Sequence, residues 1–499
     1  MNKVLEMKKL FLLSIIGAFM FSFQKTEAQE FRKLTFNEVI KLSEEQSPNA
    51  LMAKHRFRAS YWQYRTFVAE YRPSLTLTGT TPYYTTAYER VWNSVLERWD
   101  YKSTNVLRNL GSLALSQNIG LTGGTLSLNS DLTLENDFEN DTRKYITVPV
   151  SIGLVQPLFR YNSLRWQKKT EPLKYETAKK TYLSNIESVH QQAVMNFFSL
   201  ALAQINKQIV EMNYANADTL YRIARGRYEL GTIAEDELLQ MQLSWLNAET
   251  ARREAEMNLR DREIRLRSFL GFNESVRIEL IMPAEIPDLQ ISVQEVLDLA
   301  LANNPQVLNQ QLTLLTAQST VAQAKAEKGL NANLIASFGL RDQDQDFALA
   351  YAQSNQQQNV RIGITMPILD WGLGRGKYRM AQSSLELANV QSQQALVDFE
   401  QNLMLDVEQF NLQANQVAIA AKSDTVAMKR YEVTKQRFLI GKIAVLDLQD
   451  ADTKKDQNRR AYVQALQNYW NYFYNIRNLA LYDFINRKPL ETVYDKLLD

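Results

Sequence analysis

Cysteine is absent from the 499-residue chain, and histidine occurs only at His55 and His190. The first absence excludes disulfides, thiolate nucleophiles and cysteine-held metals, and the second argues against a histidine-rich metal site. Proline and glycine are sparse, at 11 and 17 residues, which points away from a loop-rich fold and toward long helices. Long apolar runs are missing too. Beyond Phe23 no stretch approaches 18 apolar residues, so no helix is expected to cross a membrane, and any spanning part must be built of β-strands. A nucleophile–base pair, a metal cluster and a phosphate loop are likewise not found. Gly372-Leu373-Gly374-Arg375-Gly376 is rich in glycine but lacks the Gly-Lys-Ser/Thr ending, and its place after a strand-ending proline suits a bend. The expectation is no enzyme, no cofactor and no metal.

The first 28 residues read as a cleavable export signal: Lys8 and Lys9 as the basic start, Leu10 to Phe23 as the apolar run, and Thr26-Glu27-Ala28 as the cleavage site. The 14-residue apolar core would span about 21 Å as helix, short of a ~30 Å bilayer interior. The signal carries four lysines and two glutamates, so the remainder has 53 basic and 53 acidic residues. A net charge of zero gives no electrostatic footprint for nucleic acid or an acidic membrane surface.

What the chain does contain is a repeat. Leu34-Thr35-Phe36-Asn37-Glu38-Val39 matches Ile291-Ser292-Val293-Gln294-Glu295-Val296, and at the same offset of 257 Ser47-Pro48 matches Asn304-Pro305. Farther on the offset falls to 210, where Gln156-Pro157-Leu158-Phe159 matches Met366-Pro367-Ile368-Leu369. Arg227-Tyr228-Glu229-Leu230-Gly231 likewise matches Arg437-Phe438-Leu439-Ile440-Gly441. Two copies follow, roughly 34–272 and 291–483, with 47 extra residues in the first between Pro73 and Pro157.

Prolines are missing from 173–282 and 368–488, and each window is helical with one break, at Gly231 or Gly441, placed to end a helix in the left-handed conformation. Ser47-Pro48 and Asn304-Pro305 read as N-cap and first helical residue. The expected organisation is a signal peptide over 1–28, a first repeat over 29–272, a linker over 273–290, a second repeat over 291–483 and a tail over 484–499. The first repeat holds helix 35–72, strands 74–156, a long helix at about 162–230 and helix 235–270. The second holds helix 292–329, strands 331–368, a long helix at about 376–440 and helix 445–482.

Within 74–156 and 331–366 the period drops to two. Leu126, Leu128, Leu132 and Leu134 alternate with polar residues, as do Leu113 and Leu115, the set Ile146, Val148, Val150, Ile152 and Leu154, and the set Val360, Ile362 and Ile364. Strands are expected near 74–81, 110–121, 125–136 and 145–156, with two more in the second copy, and Thr122-Gly123-Gly124 makes the middle pair a hairpin. The alternation fits a transmembrane barrel or a water-soluble sandwich, and too few strands are present for one chain to close a barrel alone.

A doubled order of helix, strands, long helix, glycine turn and helix resembles the TolC-type outer-membrane efflux protein family. The two Arg-Tyr/Phe-x-x-Gly turns and the strand-ending Pro157 and Pro367 are the most specific elements, and the likeness runs over 34–483. The resemblance implies a mostly α fold with a β-barrel part: two tandem repeats, a long α-helical barrel as a periplasmic tunnel, and a twelve-stranded transmembrane barrel shared by a homotrimer. It implies an exit duct in the outer membrane of a Gram-negative-type bacterium, serving a tripartite efflux or type I secretion system. A periplasmic adaptor, an inner-membrane transporter and outer-membrane lipid would be its partners. The alternative is a periplasmic coiled-coil adaptor or scaffold, disfavoured because two hairpins at matched spacing are present rather than one.

The resemblance further implies an acidic pore constriction. Asp447 and Asp450 fall on the family's paired aspartates, and Glu237 is the first-copy counterpart of Asp447. The tip turns are Arg227, Tyr228 and Gly231 in the first copy and Arg437, Phe438 and Gly441 in the second. Phe438 and Ile443 stand where the family has a locking tyrosine and arginine. Plainer readings compete: carboxylates favour the first turn of any helix, and arginines cap helix C-termini. Tyr161, Trp166, Trp371 and Tyr378, just beyond the strand-ending prolines, are expected at the membrane interface or in an ordinary core. His190 and His55 are expected to be solvated or hydrogen-bonded.

Overall fold

The computed structural model describes residues 30–94, 97–272, 276–283, 285–352, 354–440, 442–443 and 445–498, so the expected signal peptide lies outside it, as do Gly441 and Ala444. The first copy runs β1 (Glu30–Thr35), α1 (Phe36–Gln46), α2 (Pro48–Glu70), β2 (Ser74–Asn93), β3 (Arg98–Ile119), β4 (Gly124–Asp137), β5 (Thr142–Leu158), α3 (Ser163–Glu229) and α4 (Glu235–Leu270). Next come β6 (Val276–Ile281), α5 (Val293–Asn303), α6 (Pro305–Glu327), β7 (Asn331–Asp344), α7 (Leu349–Ala352), β8 (Asn355–Thr365), α8 (Leu373–Leu439) and α9 (Val445–Ala480). The short strands β9 (Tyr482–Asp483) and β10 (Lys488–Pro489) precede a final 3-10 turn at Tyr494–Leu497. No helix among the described residues is long and apolar enough to cross a membrane.

Helix starts follow local chemistry. Thr35 and Glu38 form a reciprocal capping box, the Thr35 N–H donating to Glu38 Oε2 at 2.7 Å. Ser47 Oγ accepts the Ala50 N–H at 3.1 Å, and Asn304 Oδ1 accepts the Gln306 N–H at 2.8 Å. Each stretch read as one helix, 35–72 and 292–329, is therefore a pair broken at a cap. Pro172 sits inside α3, where its missing N–H removes one helical bond. The 67 residues of α3, and as many in α8, each amount to roughly 100 Å of helix.

The described chain divides into two units. The helical unit comprises the described parts of Met1–Lys54, Leu183–Ala300 and Leu403–Thr492. Its core is aromatic: Phe36 meets Phe197 at 5.3 Å and Trp470 at 4.7 Å, and Phe410 meets Tyr469 at 5.4 Å between ring centres. The stretch 273–290, expected to be a linker, contributes β6, which pairs in parallel with β1 from Glu30↔Val276 to Thr35↔Ile281. Gln204 fastens it, donating to the Ile278 carbonyl at 2.8 Å and accepting the Leu280 N–H at 3.3 Å.

The sheet unit comprises His55–Tyr182, Leu301–Asn402 and the described part of Val493–Asp499. Its centre is one six-stranded antiparallel sheet in the order β2-β3-β4-β5-β7-β8. The strands run farther than the leucine alternation indicates. β2 and β3 pair from Ser74↔Ser116 out to Asn93↔Arg98, through a tyrosine-, threonine- and tryptophan-rich stretch with no leucine signal. The Thr122-Gly123-Gly124 turn closes the β3–β4 hairpin as expected, with Gly123 at φ +77°.

Candidate functional site

The first tip turn ends α3 in a paired motif at a left-handed glycine. The Thr232 N–H donates to the Arg227 carbonyl at 2.9 Å, and the Gly231 N–H donates to the Tyr228 carbonyl at 2.8 Å, with Gly231 at φ +69°. The Thr232 hydroxyl adds a second bond to Arg227 O at 2.8 Å. Here Arg227 contributes its backbone carbonyl to the cap. α4 then opens with Glu235, Asp236 and Glu237 in its first turn and no side-chain cap from Ala234. Three exposed carboxylates therefore stand at the positive end of a helix dipole.

In the second copy the Lys442 N–H donates to the Arg437 carbonyl at 2.9 Å, the bond equivalent to Thr232–Arg227. Phe438 is half-buried and Arg437 exposed. Asp447 is exposed in the first turn of α9. Asp450, one turn on, is not a free carboxylate: its Oδ2 accepts from the Arg430 guanidinium of α8 at 2.6 Å, both side chains about half exposed. Twenty residues of sequence separate the two, so the pairing had no local signal.

Farther from the tip, α9 carries a buried ion cluster of its own, and its cations reach α8 at Tyr431 and Asp424. Lys455, 3 % exposed, lies 2.5 Å from Asp452, 3.3 Å from Asp456 and 4.1 Å from the centre of the Tyr431 ring. Burial would push its ammonium pKa down, but the two carboxylates outweigh that and the net shift is up. Arg459 reaches back to Asp424 at 2.9 Å. α3 and α4 meet instead through stacked Tyr221 and Trp245 at 5.7 Å and through Arg252 over Tyr214 at 4.4 Å, while their ion pairs Asp218–Arg222 and Glu249–Arg253 run along single helices.

His190 is buried, at 5 % exposure, so of its two expected states the solvated one falls away. Its ring lies 3.3 Å from Glu187 and 3.5 Å from Glu44, with Tyr474 5.5 Å away and Arg477 bonded to Glu187 at 3.0 Å. Burial alone would lower the imidazole pKa; the two carboxylates reverse this, and the net shift is up.

The sheet sorts its side chains by face. Directly paired residues share a face, so the register can be followed strand to strand. One row reads Leu75–Leu115–Leu128–Ile152–Phe338–Gln358, and the next row on that face reads Gln117–Leu126–Leu154–Ala336–Val360. The row between them, on the opposite face, is Ser74–Ser116–Ser127–Gly153–Ser337–Asn359. On that polar face Ser112 bonds to Asp131, and Glu135 is held by Arg108 at 2.6 Å and Lys144 at 2.9 Å. The apolar face is bare: Leu77 is 77 % exposed and Val360 72 %.

One expected set does not survive. Between Ser151 and Val148 the β5 register shifts by one residue at Pro149, which has no N–H to give the ladder. Ile146 and Val148 therefore pair with Thr133 and Asp131 on the polar face, while Ile152 and Leu154 stay on the apolar one.

Of the expected interface aromatics, Tyr161 donates or accepts a 2.6 Å bond with Ser319, Trp166 lies under Lys169 at 4.9 Å, and Tyr378 lies under Lys328 at 4.7 Å. Trp371 is 90 % exposed at φ +53°, beside Asp370, whose carboxylate accepts the Gly372 and Gly374 N–H groups and starts α8. A second aromatic group went unread in the sequence. Tyr84, Tyr88 and Trp92 of β2 pair with Leu107, Ser103 and Trp99 of β3, and with Tyr101 they continue the apolar face toward the strand ends farthest from the helices. Tyr84 lies nine residues beyond Leu75, which at the usual strand tilt is about 24 Å of height. That matches the ~25 Å apolar band of an outer-membrane barrel with its aromatic girdle.

Comparison with known proteins agrees with this geometry. The family described as outer membrane efflux protein matches residues 39–272 and 296–480, one segment for each copy. No curated protein matches in sequence. Among solved structures, the Campylobacter jejuni CmeC outer membrane channel is similar with a TM-score of 0.66 at 16 % identity, covering 92 % of this chain and 88 % of that one. The Vibrio cholerae outer membrane protein VceC gives 0.60 at 13 %, covering 91 % and 97 %. The open-state Neisseria gonorrhoeae MtrE outer membrane channel gives 0.52 at 14 %, covering 92 % and 91 %. With both copies matched and the fold shared along nearly its whole length, the chain belongs to the outer membrane efflux protein family.

Proposed function

We propose that the protein is a passive exit duct, a homotrimer that conducts small molecules or polypeptide from a periplasmic adaptor and an inner-membrane transporter to the exterior. The observation that carries this is the two-faced sheet. A wall with a leucine-, isoleucine- and valine-rich side and a serine-, asparagine- and ion-pair-lined side separates lipid from a water-filled lumen. Transport energy comes from the partner, since the chain brings no nucleotide loop, and neither cofactor nor nucleic acid has a part in it. Tyr161, Trp166, Trp371 and Tyr378 mark the periplasmic boundary of the wall.

At the tip Asp447 and Glu237 supply negative charge with no ion pair among the described residues, and Asp450 supplies charge muted by Arg430. Purified protein in a planar bilayer is expected to conduct, with a preference for cations. Asp447→Ala with Asp450→Ala should weaken that preference and the block by multivalent cations. Arg430→Ala, by releasing Asp450, should strengthen both. Absence of conductance refutes the duct; unchanged selectivity in both variants assigns the carboxylates to helix ends alone.

A further inference from the structure

The six strands give this chain a larger share of a barrel than the four that the twelve-stranded expectation allows. We propose that β2 of one copy pairs with β8 of the next, Ser74 opposite Thr365, so that three copies close an eighteen-stranded barrel. The copy number rests on the homotrimer proposed above; the strand count and register rest on the sheet itself.

The additional β3–β4 hairpin belongs in the wall because its leucines carry the apolar face across from β2 to β5. Leu115 and Leu128 sit directly between Leu75 and Ile152, and Leu126 pairs with Leu154. A hairpin standing clear of lipid would not need leucines in step with its neighbours.

Both outer strands, β2 and β8, have one side unpaired among the described residues. Six is even, so the two edges run in opposite directions and meet antiparallel when copies are placed side by side. Open edges are not tolerated in lipid, where an unpaired N–H or carbonyl has no water to turn to.

The register follows from two constraints. Leu75 and Leu77 must share a face with Ile362 and Ile364, which excludes every slip by an odd number of residues. The row starting at Ser74 crosses the sheet to Asn359, and Thr365, the last residue of β8, lies six positions farther on. Joining Ser74 to Thr365 staggers each copy by six residues across six strands. With 3.4 Å per residue and 4.8 Å between strands this sets a tilt of about 35°, within the range of membrane barrels. A stagger of four would give about 25°, too upright, while a stagger of eight, about 43°, would leave Ser74 and Leu75 opposite Pro367 and Met366, past the end of β8. Six is the stagger that pairs both strands from their first and last residues. The apolar band obeys the same slant: it sits at 75 and 77 on β2 but at 360, 362 and 364 on β8, displaced toward Thr365. At this tilt eighteen strands enclose a wall about 34 Å across between backbones, against about 22 Å for twelve.

The chain has no cysteine of its own, so Thr76→Cys with Gly363→Cys places one pair opposite each other at every copy–copy seam. A Cβ at Gly363 meets nothing within 4 Å. Mild oxidation of the detergent-extracted protein should give linked dimers and trimers on denaturing gels and nothing larger. Thr76→Cys with Ile362→Cys, on opposite faces, should not link. Averaged images of the unaltered particle should show a wall near 34 Å. A threefold particle with a wall near 22 Å, or linking by the Thr76 and Ile362 pair of variants in place of the Thr76 and Gly363 pair, overturns the proposal and leaves the duct intact. A particle without threefold symmetry removes the duct's stoichiometry itself. If the double variant does not assemble, the image of the unaltered chain decides.

Discussion

Phe338 and Ser337 are neighbours on β7 whose side chains leave opposite faces, Phe338 in the row with Ile152 and Ser337 in the row with Gly153. At a tilt near 35° Phe338 lies about 14 Å above the helix-side end of the wall, close to the middle of a ~25 Å apolar band. Phe338→Arg therefore sets a guanidinium in the depth of lipid, where it costs about 2–4 kcal/mol per chain, roughly 30- to 800-fold in the ratio of folded to unfolded protein. Ser337→Arg sends the same group into the lumen, where Gly153 leaves room beside it, and its cost should be under about 1 kcal/mol. Refolding into lipid vesicles, followed by guanidinium titration of tryptophan fluorescence and by heat-sensitive gel mobility, compares the two directly. The expected result is a marked loss for Phe338→Arg and near-native behaviour for Ser337→Arg. The reverse order would mean the faces are assigned backwards; equal, small effects would mean that no lipid touches the sheet.

Two further outcomes concern the helical unit. His190, raised by Glu187 and Glu44, contributes stability that is complete below its ordinary 6.5 and is lost as pH rises through the higher folded value. Glu44, lowered chiefly by its bond to His190, contributes above about 4.5 and is lost as pH falls through its depressed value. Thermal stability should thus peak between about pH 5 and 6.5, and His190→Gln should flatten the alkaline decline at a cost of about 1–3 kcal/mol; equal slopes in both proteins would refute the assignment. Gly231→Ala forces a side chain into the left-handed region at φ +69° and should cost about 1–2 kcal/mol, seen as faster proteolysis at the α3–α4 turn; unchanged cleavage would show that the turn relaxes freely.

Much of this architecture is legible in the sequence. The paired offsets of 257 and 210 located both long hairpins, and Ser47, Asn304 and Gly231 each marked a helix end that the structure places there. Those signals are local: a cap or a left-handed glycine acts within a turn. What stayed hidden depends on partners far along the chain. Arg430 and Asp450 come from separate helices, and Glu44 reaches His190 of α3 from α1. The outer halves of β2 and β3 escaped notice because tyrosine, threonine and tryptophan replace leucine where lipid gives way to the interface. Pro149 defeated strict alternation by adding one residue to β5 and turning Ile146 and Val148 to the other side.

The parallel pairing of β1 with β6 bears on the order in which the molecule is made. A hairpin strand finds its mate at once, but β1 must wait until synthesis has delivered Val276–Ile281, roughly 240 residues later. Through that interval the opening segment has unshared amides and no template, while α3 and α4 are already free to coil. Assembly of the first copy is thus sealed by the segment that follows it, and a ribosome pause or truncation short of Ile281 leaves its beginning unmoored.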